Sequence, residues 1–207
     1  MDRVDTILSV LEELFPNAEC ELKHTNGFEL LVAVMLSAQT TDKSVNLLTD
    51  SLFKKYQKPE DYLNVPLSEL QQDLRRIGLY KNKANNLQKL CYKIIHEFDG
   101  IVPASQEKLE SLPGVGRKTA NVVLSVWFHV PRIAVDTHVD RVSKRLKLAY
   151  LKDNVRQVEE KLMRKIPKDK WSDTHHKMIF FGRYHCLARN PKCETCPLQE
   201  LCRYPNI

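Results

Sequence analysis

Glycine is scarce in this chain, six residues in 207. Long apolar runs are missing as well. The longest, Leu30 to Leu36, is far too short to span a bilayer, so no membrane partner is expected. No charged-then-apolar leader with a small-residue cleavage site opens the chain, so secretion is not expected either. No stretch alternates apolar and polar residues beside a hairpin turn. Asn26-Gly27 has the composition of such a turn but lacks the flanking strands it would need. Internal repeats and low-complexity segments are absent. A disulfide framework is not expected: six cysteines without a leader argue for thiols or metal ligands.

What is present is ordinary globular material. Hydrophobic residues make up 43% and charged residues 28%, which excludes wholesale disorder. The length suits one large domain or two small intertwined ones. The net charge of +6 is weak evidence for an anionic partner, and its distribution says more. Residues 1–30 carry seven acids and two bases, whereas residues 141–170 carry eleven bases and four acids. Arg141, Lys144, Arg145 and Lys147 could form a face suited to phosphates, or simply a solvated helix face.

Apolar spacing predicts helices throughout. Phe28 to Ala38 is apolar nearly all round, the mark of a buried central helix. Stripes at three- and four-residue spacing follow: Val45, Leu48, Leu52 and Tyr56; Leu67, Leu70, Leu74 and Ile77; Ala84, Leu87, Cys91, Ile94 and Phe98. Ser105 is placed to cap a short helix ending at Leu112-Pro113. Ala120, Val123, Leu124, Trp127 and Phe128 form another stripe, broken by Pro131. Val139, Val142 and Leu146, then Val155, Val158 and Leu162, form two more. An all-α fold with short connections is expected.

The glycines cluster where chemistry is most legible. In Leu112-Pro113-Gly114-Val115-Gly116-Arg117-Lys118-Thr119-Ala120 one helix stops and another starts within a Gly-Val-Gly turn. Such a turn can approach another chain closely, and the amides opening the second helix can receive a phosphate. From the glycines alone, a helix corner without a ligand explains the segment as well. A nucleotide P-loop does not, because Arg117 interrupts Gly-Lys-Thr and Ser111 stands where its first glycine belongs. The other cluster is Cys186, Cys193, Cys196 and Cys202, four thiols within seventeen residues. Their number fits one all-cysteine metal centre, and spacing alone leaves structural zinc and an iron–sulfur cluster both open.

From Phe28 to Cys202 the chain resembles the helix-hairpin-helix base-excision DNA glycosylases, on the hairpin Leu112–Ala120, its continuation to Ala134-Val135-Asp136-Thr137-His138, and the four-cysteine loop. The resemblance implies two helical lobes: residues 20–130 as a six-helix barrel containing the hairpin, and residues 1–19 with 131–207 as an iron–sulfur domain. It implies that Lys118 and Asp136 do the chemistry. A helix from Lys118 to His129, broken at Pro131, leaves enough chain for Asp136 to return toward its start. Without the resemblance both would pass as solvated surface residues. Lys118 favours the bifunctional glycosylase/lyase branch, since adenine-specific and alkylation-repair members lack it.

The resemblance further implies a [4Fe–4S] cluster on the four cysteines, with Arg189 and Lys192 in the loop between the first two touching DNA. Gln39 and Leu79 match the residues that fill the space left by an extruded base. Gly114, Val115, Gly116 and Arg117 would hold the duplex, and His138 would line the pocket. The implied partner is double-stranded DNA with oxidised pyrimidines or abasic sites, handled by a cytoplasmic monomer, nucleoid-associated in a bacterium. Cys91 falls on an apolar stripe as a core thiol, and the sequence assigns no role to Cys20.

Overall fold

Where apolar residues recur every three or four positions, the chain is helical. A computed structural model describes residues 2–204. Its α-helices, in chain order, are α1 (Arg3–Leu14), α2 (Gly27–Leu36), α3 (Asp42–Lys55), α4 (Pro59–Leu63), α5 (Leu67–Leu74), α6 (Tyr80–Phe98), α7 (Gln106–Glu110), α8 (Arg117–Val126), α9 (Thr137–Arg145), α10 (Val155–Lys165) and α11 (Trp171–Phe180). Among the described residues there is no strand, as expected of an all-α fold. No helix is long and apolar enough to cross a membrane.

The chain divides into two compact units. One is continuous, Glu21–Val130. The other joins Met1–Cys20 to Pro131–Ile207. In the continuous unit α2 is buried along nearly its whole length, from Phe28 to Leu36. Asn26 starts it, its side chain accepting from the Glu29 N–H at 2.9 Å. Against this helix pack α3, α6 and α8, and α6 in turn covers α4 and α5. Phe28 meets Tyr62 edge-to-face, and Tyr62 lies tilted against Tyr56, at one side of the core.

In the discontinuous unit Ile7 and Leu11 of α1 enter a core with Val139, Val142, Leu162 and Phe181. Lys177 of α11 is buried and bonds both Glu12 of α1 and Asp173, fastening the first helix to the last. Past α11 the chain makes a π-helical turn, Phe181–His185, closed where the Cys186 N–H donates to the Phe181 carbonyl at 2.7 Å.

Four details depart from the pattern read in the sequence. First, α11 carries no clean apolar stripe because its buried face includes Thr174, His175 and Lys177. Second, α8 ends at Val126, three residues short of His129, which takes a left-handed φ of 53°. Third, Val155 sits at the opening position of α10 and is 53% exposed, so the buried face starts at Val158. Fourth, Ser105 occupies the N-cap position of α7 without a side-chain cap bond.

Candidate active site and cluster loop

The hairpin between α7 and α8 is built by its glycines. Gly114 has φ 81°, and a Cβ there would lie 3.1 Å from Asn86 Cβ and 3.3 Å from Met35 Cγ. Both the left-handed backbone and the close approach to α6 and α2 make a larger residue costly. Leu112 and Val115 point into the core. The Val115 N–H donates to the Leu112 carbonyl at 3.0 Å and closes the turn. Val115 thus turns its side chain into the core and its N–H back into the turn. At Gly116, the N-cap of α8, a Cβ would meet nothing within 4 Å. No side chain caps this helix end. The result is an uncapped, open N-terminus of a ten-residue helix, where amides and dipole favour an anion. Arg117 and Lys118 stand exposed in its first turn, Arg117 4.0 Å from Glu110.

Two further loops of the same unit carry residues in left-handed conformations. Gln39, after α2, has φ 55°, and Leu79, before α6, has φ 58° with its side chain 52% exposed. A non-glycine residue at positive φ is uncommon, and for leucine it is strained. The loops are adjacent: a Cβ on Gly78 would lie 3.9 Å from the Gln39 carbonyl oxygen. Lys83 ties them, a residue that the sequence reading missed. Its Nζ donates to the Leu36 carbonyl and to Thr40 Oγ1, both at 2.8 Å, while its backbone N–H donates to the Leu79 carbonyl at 3.0 Å. Burial holds the Lys83 ammonium below the usual lysine range. A signal existed: Lys83 lies on the Leu87, Cys91 and Ile94 stripe, where a lysine is out of place.

In the discontinuous unit Asp136 caps α9. Its Oδ1 accepts from the N–H groups of His138 (2.9 Å) and Val139 (2.8 Å). Both bonds fall on one oxygen, so the half-buried carboxylate is held in a fixed orientation with Oδ2 outside the cap. His138 Nδ1 accepts from the Arg141 guanidinium at 3.2 Å. A Cβ on Gly182 would stand 2.8 Å from His138 Cβ, so the π-helical turn presses directly on α9 beside Asp136. Arg141 bridges the two, donating to the Gly182 carbonyl at 2.7 Å and the Cys186 carbonyl at 3.1 Å.

The cysteine loop follows. Cys186, Cys193, Cys196 and Cys202 are all free and half-buried. Burial pushes the Cys196 thiol up, and Cys186, Cys202 and Cys193 push the same way through space. Arg145 donates to Cys186 Sγ and the Tyr204 N–H to Cys202 Sγ, each at 3.3 Å. Arg189 and Lys192 are exposed on the loop between the first two cysteines. Among the described residues no group of three or more His, Cys, Asp or Glu is placed to hold a single metal ion.

The basic face read from residues 141–147 does not form. Arg141 turns onto backbone carbonyls, Arg145 is buried, and Lys144 pairs with Asp140 at 2.8 Å, leaving Lys147 exposed.

Residues 32–168 match the HhH-GPD superfamily of base excision DNA repair proteins, and residues 186–202 match the iron–sulfur binding domain of endonuclease III. Endonuclease III of Bacillus subtilis (strain 168) is 60% identical over 203 residues, covering 98% of this chain and 93% of that one. The Escherichia coli K12 enzyme is 46% identical over 198 residues, 96% and 93% of the two chains. This chain belongs to the endonuclease III family.

The family is one of DNA glycosylases with abasic-site lyase activity that carry a [4Fe–4S] cluster, and this protein is such an enzyme. Its fold superposes on a non-covalent endonuclease III–DNA complex with a TM-score of 0.96 at 57% identity, covering 98% of this chain and 96% of that one. A trapped endonuclease III–DNA covalent intermediate gives 0.95 at the same identity and coverage. The iron–sulfur match decides between the two metal centres that spacing left open. The donor set fits the cluster, since four free thiols with N–H donors aimed at two of their sulfurs are what a thiolate-held cluster of net negative charge requires.

Proposed function

We propose that this enzyme excises oxidised pyrimidines from duplex DNA, acting as a cytoplasmic monomer through Lys118 and Asp136. The observation that carries the reading is Lys118 standing exposed in the first turn of an uncapped α8, two residues after the open Gly116. A phosphate seated on that helix end brings the sugar of the damaged nucleotide within the region a lysine side chain sweeps. Arg189 and Lys192 supply further phosphate contacts. A base inside a duplex is out of reach of an amine, so it is extruded, and Gln39 and Leu79, already strained outward, take its place.

The neutral amine of Lys118 attacks C1′, and the bond from C1′ to the base breaks with its electron pair leaving on the base. Asp136 accepts the proton that the amine releases and stabilises positive charge on the sugar as the base departs. The C1′–O4′ bond then breaks, O4′ takes up a proton, and C1′ is left in a Schiff base with Lys118. This acidifies the C2′ proton, and its removal expels the 3′ phosphate by β-elimination, cutting the strand 3′ to the lesion. Cys186, Cys193, Cys196 and Cys202 hold the cluster, which supplies structure to the DNA-facing loop rather than a reacting group.

Borohydride trapping tests the reading. Wild type is expected to give a covalent protein–DNA adduct that peptide mapping places on Lys118. Lys118→Ala and Lys118→Gln are expected to give none while keeping duplex binding, because Gly116 and the helix end remain. Asp136→Asn is expected to lose more of the base-release rate than of the lyase rate on a pre-formed abasic site. An adduct that persists in Lys118→Ala makes a water-using glycosylase the better reading.

A further inference from the structure

Arg145, in the last turn of α9, is 8% exposed. Burying a guanidinium is costly unless its hydrogen bonds and its charge are both met. The hydrogen bonds are met by the cluster loop. Nη1 donates to the Leu187 carbonyl at 2.8 Å and to Cys186 Sγ at 3.3 Å, and Nη2 to the Ala188 carbonyl at 3.3 Å. The guanidinium lies 4.1 Å from the Tyr204 ring centroid, and the Arg145 carbonyl accepts from the Arg203 N–H at 2.9 Å. One residue thus grips the chain at both ends of the segment that bears the four cysteines.

The charge is another matter. Among the described residues no carboxylate pairs with Arg145: Asp140 is taken by Lys144 at 2.8 Å and Asp153 by Lys161 at 2.6 Å. What Arg145 does touch is the Cys186 sulfur, one of the four cluster ligands of the assignment. Four thiolates on a resting four-iron cluster leave it a net negative charge, and every electron added makes it more negative. A cation with an N–H donor on a ligand sulfur stabilises the more reduced form most. We propose that Arg145 is the buried counter-charge of the cluster and holds its reduction potential up, beyond any part it plays in shaping the loop. This rests on the four-cysteine assignment.

Voltammetry of the iron-loaded enzyme, with Arg145→Lys and Arg145→Gln beside wild type, separates counter-charge from clamp. Glutamine keeps a donor but removes the charge, whereas lysine keeps the charge but loses the fork. The midpoint is expected to fall in Arg145→Gln by about 59 mV, a tenfold change in the oxidised-to-reduced ratio of a one-electron couple, and by less in Arg145→Lys. Identical midpoints in all three iron-replete proteins would overturn the proposal and leave Arg145 a clamp. If the variants lose iron, wild type labelled with ¹⁵N-arginine carries the test. With the label confined to the guanidinium nitrogens, a ¹⁵N hyperfine coupling on the oxidised cluster is expected, since Arg145 Nη1 donates to Cys186 Sγ whereas Arg141 reaches the Cys186 carbonyl. Its absence overturns the proposal. Iron-free wild type would instead overturn the cysteine assignment, and this proposal with it.

Discussion

Lys83 shows what a single buried charge does for the two loops it touches. Its ammonium meets a carbonyl at the end of α2 and a threonine hydroxyl, with no carboxylate among the described residues to neutralise it. Hydrogen bonds from a charged donor contribute about 1.5–3 kcal/mol each, and losing the donor leaves the Leu36 carbonyl without that partner. Lys83→Met is therefore expected to lower stability by about 2 kcal/mol in denaturant melts. The specific consequence lies at Gln39 and Thr40. The Thr40 N–H, bonded to the Ser37 carbonyl at 3.0 Å, is expected to exchange with solvent much faster once the loop is released. Unchanged exchange there would mean that the loop holds its strained shape without Lys83. A uniform rise across α6 would mean general destabilisation instead.

At the scale of elements, the hairpin's two glycines do different jobs, and the same substitution separates them. Gly114→Ala forces a Cβ onto a φ of 81° and against Asn86. It is expected to cost about 1–3 kcal/mol and to lower the melting temperature. Gly116→Ala meets open space at an ordinary φ of −97°, so its stability cost is expected to stay below about 1 kcal/mol. Duplex binding reverses the ranking. A methyl on Gly116 occupies the ground a phosphate would take, so Gly116→Ala is expected to weaken binding to damaged and undamaged duplex alike. Thermal melts and titrations at fixed salt read the two effects independently. Equal binding by Gly116→Ala and wild type would remove the helix end from the interface.

At the scale of the whole chain, the unit bearing Asp136 and the cysteines is assembled from both ends of the sequence. Leu11 of α1 is fully buried in its core, and Arg3 donates to the Leu201 carbonyl at 2.8 Å, one residue before the last cysteine. Leu11→Ala is expected to cost about 2–5 kcal/mol. Because the same core backs the cysteine loop, it is also expected to speed iron release to a chelator, measured by the decay of visible absorption. Iron release at the wild-type rate despite lower stability would show that the loop is held locally, by Arg145 and its carbonyl bonds alone.

Much of this was written in local residue order. The helices α3, α5, α6, α8, α9 and α10 follow from apolar spacing, because a helix must bury one face and its period is short, and α2 follows from being apolar nearly all round. The hairpin and the cysteine loop were legible for the same reason: in each, the residues that act together lie within about a dozen and a half positions. What only the tertiary structure decided involves partners far apart in sequence. Lys83 and Leu36 are separated by 47 positions, Arg145 and Cys186 by 41, and Lys177 and Glu12 by 165. Spacing cannot tell a lysine that faces water from one that reaches a distant carbonyl, because both obey the same helical period. The run Arg141, Lys144, Arg145, Lys147 therefore read as one charged face, whereas packing turned two of its arginines inward and paired its first lysine with an acid. Local propensity sets which segments are helices, and the free energy of satisfying buried charges sets where their polar side chains end.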